Sequence, residues 1–127
     1  MHMEMVAEFS RNTLLVLHLV GLASLFGGFL TQMKAMAQKA ARVVPAMVHG
    51  AWTALITGVA LVGVAEWRIA LGANFEVDHT KIAVKSILAA VILTLVMVYR
   101  KKENVATPIF GTIGLLTLAN IVLAVFW

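Results

Sequence analysis

Three stretches of this chain carry no charged residue: between Arg11 and Lys34, between Arg42 and Glu66, and after Glu103. A fourth, running from His79 to Tyr99, is interrupted only by Lys81 and Lys85. A hydrocarbon core ~30 Å thick is crossed by ~20 apolar helical residues, and each stretch reaches that length. The expected spans are approximately 12–31, 43–65, 80–99 and 106–127. Backbone in lipid must satisfy its own hydrogen bonds, and the alternation suited to a barrel is absent, so all four are helices. Joints this short make an all-α, integral membrane antiparallel four-helix bundle the simplest architecture, a single transmembrane domain over 1–127.

Composition agrees and excludes several function classes. Charged residues make up 13% of the 127 residues and hydrophobic ones 61%, against ~25% charged in soluble domains. Too little polar surface is left to coat a water-soluble bundle. The chain has no cysteine, which excludes disulfides, thiolate zinc sites, iron–sulfur clusters and covalent c-type haem attachment. It also lacks a phosphate-cradling glycine loop, an HExxH zinc motif and a notable Ser/His/Asp order. Asp78-His79 resembles a metal or acid/base pair, but adjacent helical residues diverge, and a helix-start Asp explains it more simply. The net charge of +4 fits basic membrane joints better than a nucleic-acid partner. The N-terminus carries Glu4 and Glu8 and no basic signal-peptide region, so it is expected to stay in the mature chain.

Orientation follows from where the charges lie. The first joint holds Lys34, Lys39 and Arg42; the third holds Arg100, Lys101 and Lys102 with only Glu103. The opposite side carries Arg11, Arg68, Lys81 and Lys85 with five acids, Glu4, Glu8, Glu66, Glu76 and Asp78. The positive-inside rule then predicts a multi-pass protein of the cytoplasmic membrane with both termini on the non-cytoplasmic side. Trp67 and Trp127 fall at the outer boundary as interfacial anchors. Ser24-x-x-x-Gly28 and Ala54-x-x-x-Gly58 fit the small-x-x-x-small spacing that brings helix backbones together. Pro108 suits the start of the last helix.

At 1.5 Å of rise per residue, three polar residues share one depth. His18 lies seven residues in from Arg11, Lys85 seven in from Asp78, and Asn120 seven in from Trp127, each roughly 10 Å below the outer boundary. Ionisable groups inside a bilayer are costly and tend to face an interior or a ligand. The structural alternative is that the lysines snorkel and that His18 and Asn120 bond a neighbouring helix. A neutral imidazole in an apolar bundle suits axial ligation of haem b. Gly21, one turn from His18, leaves the helix face bare for a flat macrocycle, and Lys85 can pair with a propionate. His49 lies in the inner half, so a clamp of His18 and His49 on one haem would be strained. Copper is the rival: Met33-x-x-Met36, the Met1–Met5 terminus and Met47 near His49 offer thioether and imidazole donors. Methionine is also an ordinary gap-filler.

Two segments carry a family resemblance. LLVLHLVGLASLFGGFL, with His18, Phe26, Gly27 and Gly28, resembles the first helix of the four-helix core shared by CopD-type copper-resistance membrane proteins and HemJ-type protoporphyrinogen oxidases. DHTKIAVKSILAAVILTLVMVYRKKENVATP, with Lys85, Arg100, Lys101 and Pro108, is similar to the lysine-bearing helix of that core. Together they cover about half of the chain. Phe26 stands where a Trp is more usual, and LTQMKAM replaces an Arg- and Tyr-rich stretch. The larger multi-span architecture of CopD-like proteins is missing. The resemblance implies haem binding and porphyrinogen oxidation with His18 and Lys85 as the functional pair. Three functions stay open at this point. One is a haem- or porphyrin-handling protein, either a haem-dependent oxidoreductase or a non-enzymatic binder. The others are a small homo-oligomeric ion or metal transport module and a non-catalytic subunit of a larger membrane complex.

Overall fold

A computed structural model describes residues 2–72 and 79–126. Asp78, Glu76 and Trp127, used above to gauge charge or depth, lie outside them. Five helices follow in order: α1 (His2–Thr31), α2 (Met33–Ala37), α3 (Pro45–Ala70), α4 (His79–Tyr99) and α5 (Thr107–Phe126). No strand occurs among the described residues. All but α2 are long and apolar enough to cross a membrane, so this is a multi-pass, all-α membrane protein.

α1 begins ten residues earlier than its apolar stretch. Its 30 residues extend ~45 Å, well beyond a ~30 Å hydrocarbon core. Hydropathy marks where lipid ends, whereas the helix ends where its backbone bonding ends. Glu4, Glu8 and Arg11 therefore continue the helix past the membrane face, with Ala7 fully buried among them. The first joint also hides a short helix. In α2, Met36 packs against the main core while Met33 is half exposed.

The four long helices form a ring in the order α1, α3, α4, α5, with α1 and α4, and α3 and α5, on the diagonals. The α1–α3 seam is the most extensive. A Cβ at Gly21 would lie 2.8 Å from the Ala54 nitrogen; one at Gly50 would lie 2.6 Å from the Gly21 carbonyl oxygen. Real Cβ atoms essentially never come so close, so only glycine permits this separation of the two backbones. The Ser24 hydroxyl closes the seam by donating to the Ala46 carbonyl at 2.8 Å.

The two ends of the bundle are packed differently. Leu25, Phe29, Met47, Ile92, Val96, Phe110 and Ile113 form one buried cluster near the basic joints. Phe29 stacks on Phe110 at 5.3 Å, and Gly114 gives the Phe29 ring its room. The joints are tied beneath this cluster. Val105 N–H donates to the Ala41 carbonyl at 2.8 Å, Thr107 Oγ1 to the Met36 carbonyl at 3.2 Å, and Arg42 N–H to Gln32 Oε1 at 3.0 Å. No member of the cluster comes from the end that carries the termini. There the bundle leaves space.

Candidate functional site

That space is a partly open cavity of about 320 Å³ lined by α1, α3, α4 and α5, at the small end of the ~300–1,000 Å³ typical of ligand sites. Its walls are apolar, built from residues such as Leu15, Leu55, Val59, Val62, Ile82 and Ala89. Into it come His18 from α1, Lys85 from α4 and Asn120 from α5. Three residues picked out by depth therefore share one chamber. Asn120 is only 6% exposed, yet its side-chain amide bonds no described residue. Lys85 is half-buried, and no carboxylate among the described residues lines the cavity.

His18 is held from one edge. Its Nδ1 lies 3.0 Å from Thr57 Oγ1 on α3. Gly58 gives the ring clearance, since a Cβ there would stand 3.3 Å from His18 Cε1. Depth reasoning had no means of finding Thr57 or Gly58, because an uncharged residue inside an apolar run leaves no mark in hydropathy. A signal was nonetheless present. Ala54 and Gly58 are the small residues that bring α1 against α3, and Thr57 sits between them on the same face.

Gly21 does something other than expected. It does not line the cavity; its bare face is filled by Thr53 and Ala54. Its smallness lets α3 approach, and that approach is what brings Thr57 to His18. His49 is exposed on the outer surface of α3 and takes no part in the cavity, so the two histidines do not face each other. Met47 is fully buried beneath Gly28, where it fills the seam. Among the described residues no group of three or more His, Cys, Asp or Glu side chains gathers as metal ligands would.

Toward the termini the chamber continues into a second cleft of about 420 Å³ between α1 and α3, sharing Leu15, Leu61 and Ala65 with it. Arg11 and Arg68 line this cleft. Beside the mouth, His79 at the start of α4 meets Glu66 of α3 at 3.7 Å. Both side chains are well exposed, so this pair adds at most a few tenths of a kcal/mol. The positive charges thus run from the membrane face, at Arg11 and Arg68, down to Lys85 in the chamber. Compared with family models, curated proteins and solved structures, the chain matches none.

Proposed function

We propose that this protein binds a lipophilic carboxylate in the chamber between its four helices, and that the ligand is a haem or porphyrin. One observation carries the reading: an ammonium, an amide and an imidazole enter one apolar cavity to which the described residues contribute no acid. A charge in a low-dielectric site is costly, and a ligand carboxylate would offset it. The donor set fits haem b. His18 supplies one imidazole nitrogen without a described side-chain partner, Lys85 a cation for a propionate, and Asn120 further hydrogen bonds. When bound, the iron would add redox and ligand-exchange chemistry. The chain's own contribution is to hold the acid group, shield it from water and fix the imidazole. The resemblance of the His18 and Lys85 helices to HemJ-like proteins points the same way.

Permeation through a single bundle is less well supported, because the Leu25, Phe29, Met47 and Phe110 cluster fills the basic end below the chamber. The test is titration of the purified protein in detergent with hemin and, separately, with metal-free protoporphyrin. Hemin is expected to saturate at one per chain with a Soret band that His18→Ala shifts and weakens. Metal-free porphyrin should bind with little dependence on His18. Oleate competition distinguishes a porphyrin site from one that accepts any fatty carboxylate. Failure of both tetrapyrroles to saturate would overturn the reading.

The same proposal places the chamber in the non-cytoplasmic half of the membrane, with the basic joints in the cytoplasm. A chain without cysteine makes this simple to check. A lone cysteine replacing Gly72 should react with an impermeant maleimide on intact cells, and one replacing Lys101 only after lysis. The reverse pattern would invert the topology.

A further inference from the structure

The Thr57 hydroxyl has one proton, and two backbone carbonyls of its own helix compete for it: Thr53 O at 2.5 Å and Ala54 O at 3.3 Å. Back-bonding of this kind is the usual fate of a threonine within an apolar helix. With that proton directed into α3, Oγ1 faces His18 Nδ1, 3.0 Å away, with lone pairs only. A neutral imidazole carries one proton, and the partner of one nitrogen decides the state of the other.

We infer that Thr57 is a positioning residue that holds His18 as its Nδ1–H tautomer, leaving the Nε2 lone pair for whatever enters the chamber. The ring cannot easily escape this setting. Gly58 lies against its Cε1 edge, and the α1–α3 backbones are in contact one turn away at Gly21 and Ala54. Among the described residues the ring meets the Thr57 hydroxyl at Nδ1 and the Ala54 backbone, and no side chain bonds Nε2. Such a nitrogen is a Lewis base toward a transition metal or an acceptor toward an acidic proton; the opposite tautomer would present an N–H and bind neither. The inference rests on the haem or porphyrin reading only for the identity of the ligand. The tautomer belongs to the empty protein and is measurable without any ligand.

The test uses ¹⁵N-histidine-labelled full-length protein at about pH 8, where an ordinary imidazole is neutral. His18 is assigned by loss of its signals in His18→Asn. The unsubstituted protein should show a protonated Nδ1 and a bare Nε2. Thr57→Ser, which keeps the acceptor, should retain that pattern; Thr57→Val, which keeps the shape and removes the acceptor, should lose it. A proton on Nε2 in the unsubstituted protein, or an unchanged tautomer in Thr57→Val, would overturn the inference. Hemin affinity supplies a separate readout, expected to fall about 10- to 100-fold in Thr57→Val and to be restored in Thr57→Ser. Hemin that fails to bind the unsubstituted protein would sink the ligand reading alone, and the tautomer would still be decided by the nitrogen spectra.

Discussion

Gly50→Leu is expected to destabilise the bundle by about 3 kcal/mol or more, the upper end of the overpacking range, and to abolish ligand binding together with the fold of the chamber. The reason is the kind of atom the new side chain would meet. A Cβ at Gly50 falls on the Leu25 nitrogen, the Gly21 carbonyl oxygen and the Leu25 Cα, all of them backbone. Backbone cannot rotate aside as a side-chain tip can, so the two helices must part. The seam they share is the one that sets Thr57 against His18 and holds His18 in the cavity wall. Gly63→Leu is the matched control, since a Cβ at Gly63 meets nothing within 4 Å. Its unfolding in mixed detergent, followed by helicity, should track the unsubstituted protein. Equal loss in both variants would show that bulk in any helix, rather than close approach at Gly50, governs stability.

The contrast between these glycines also shows what the chain discloses before it folds. Apolar length alone specifies four crossing helices, because lipid permits few alternatives for a backbone of that composition. The short joints and the matching of His18, Lys85 and Asn120 in depth follow from counting residues along helices of fixed rise. Counting does not say which way a residue faces around its helix. A run that is apolar on every side carries almost no facing signal, since lipid and core are equally greasy. The sequence therefore suggests a cavity-facing Gly21, whereas it packs on Ala54; Gly63 and Gly50 look alike in sequence and have opposite surroundings. Thr57 is invisible to any argument from charge. The α1 extension escaped for a related reason: Glu4, Glu8 and Arg11 interrupt the hydropathy and leave helical bonding intact. Facing is settled only by close contacts such as Gly28 against Met47 and Gly114 against Phe29.

Lys85→Met is expected to move affinity and stability in opposite directions. Methionine keeps the length and flexibility of the lysine stem and removes the charge. With no carboxylate among the described residues of the cavity wall, none of them loses a partner when the ammonium goes. The bundle is instead relieved of an ionised group among apolar side chains, a term that reaches ~2.5–3.5 kcal/mol at mid-membrane and is smaller for a half-buried lysine near an interface. Stabilisation of about 1 kcal/mol is therefore expected, read as a later midpoint in detergent unfolding. Binding should suffer the reverse. Removing one side of a buried charge-assisted contact costs ~2–5 kcal/mol, and the lower end alone weakens metal-free porphyrin and hemin by about 30-fold. Lys85→Arg should recover part of the loss, since it restores the charge with a broader, planar head. The two signs together separate a binding lysine from a structural one. If Lys85 served only the fold, by snorkelling or by pairing within the bundle, Lys85→Met would lower stability and leave ligand affinity where it was. A stable variant with undiminished affinity for metal-free porphyrin would dismiss the ammonium as the anchor for the acid group.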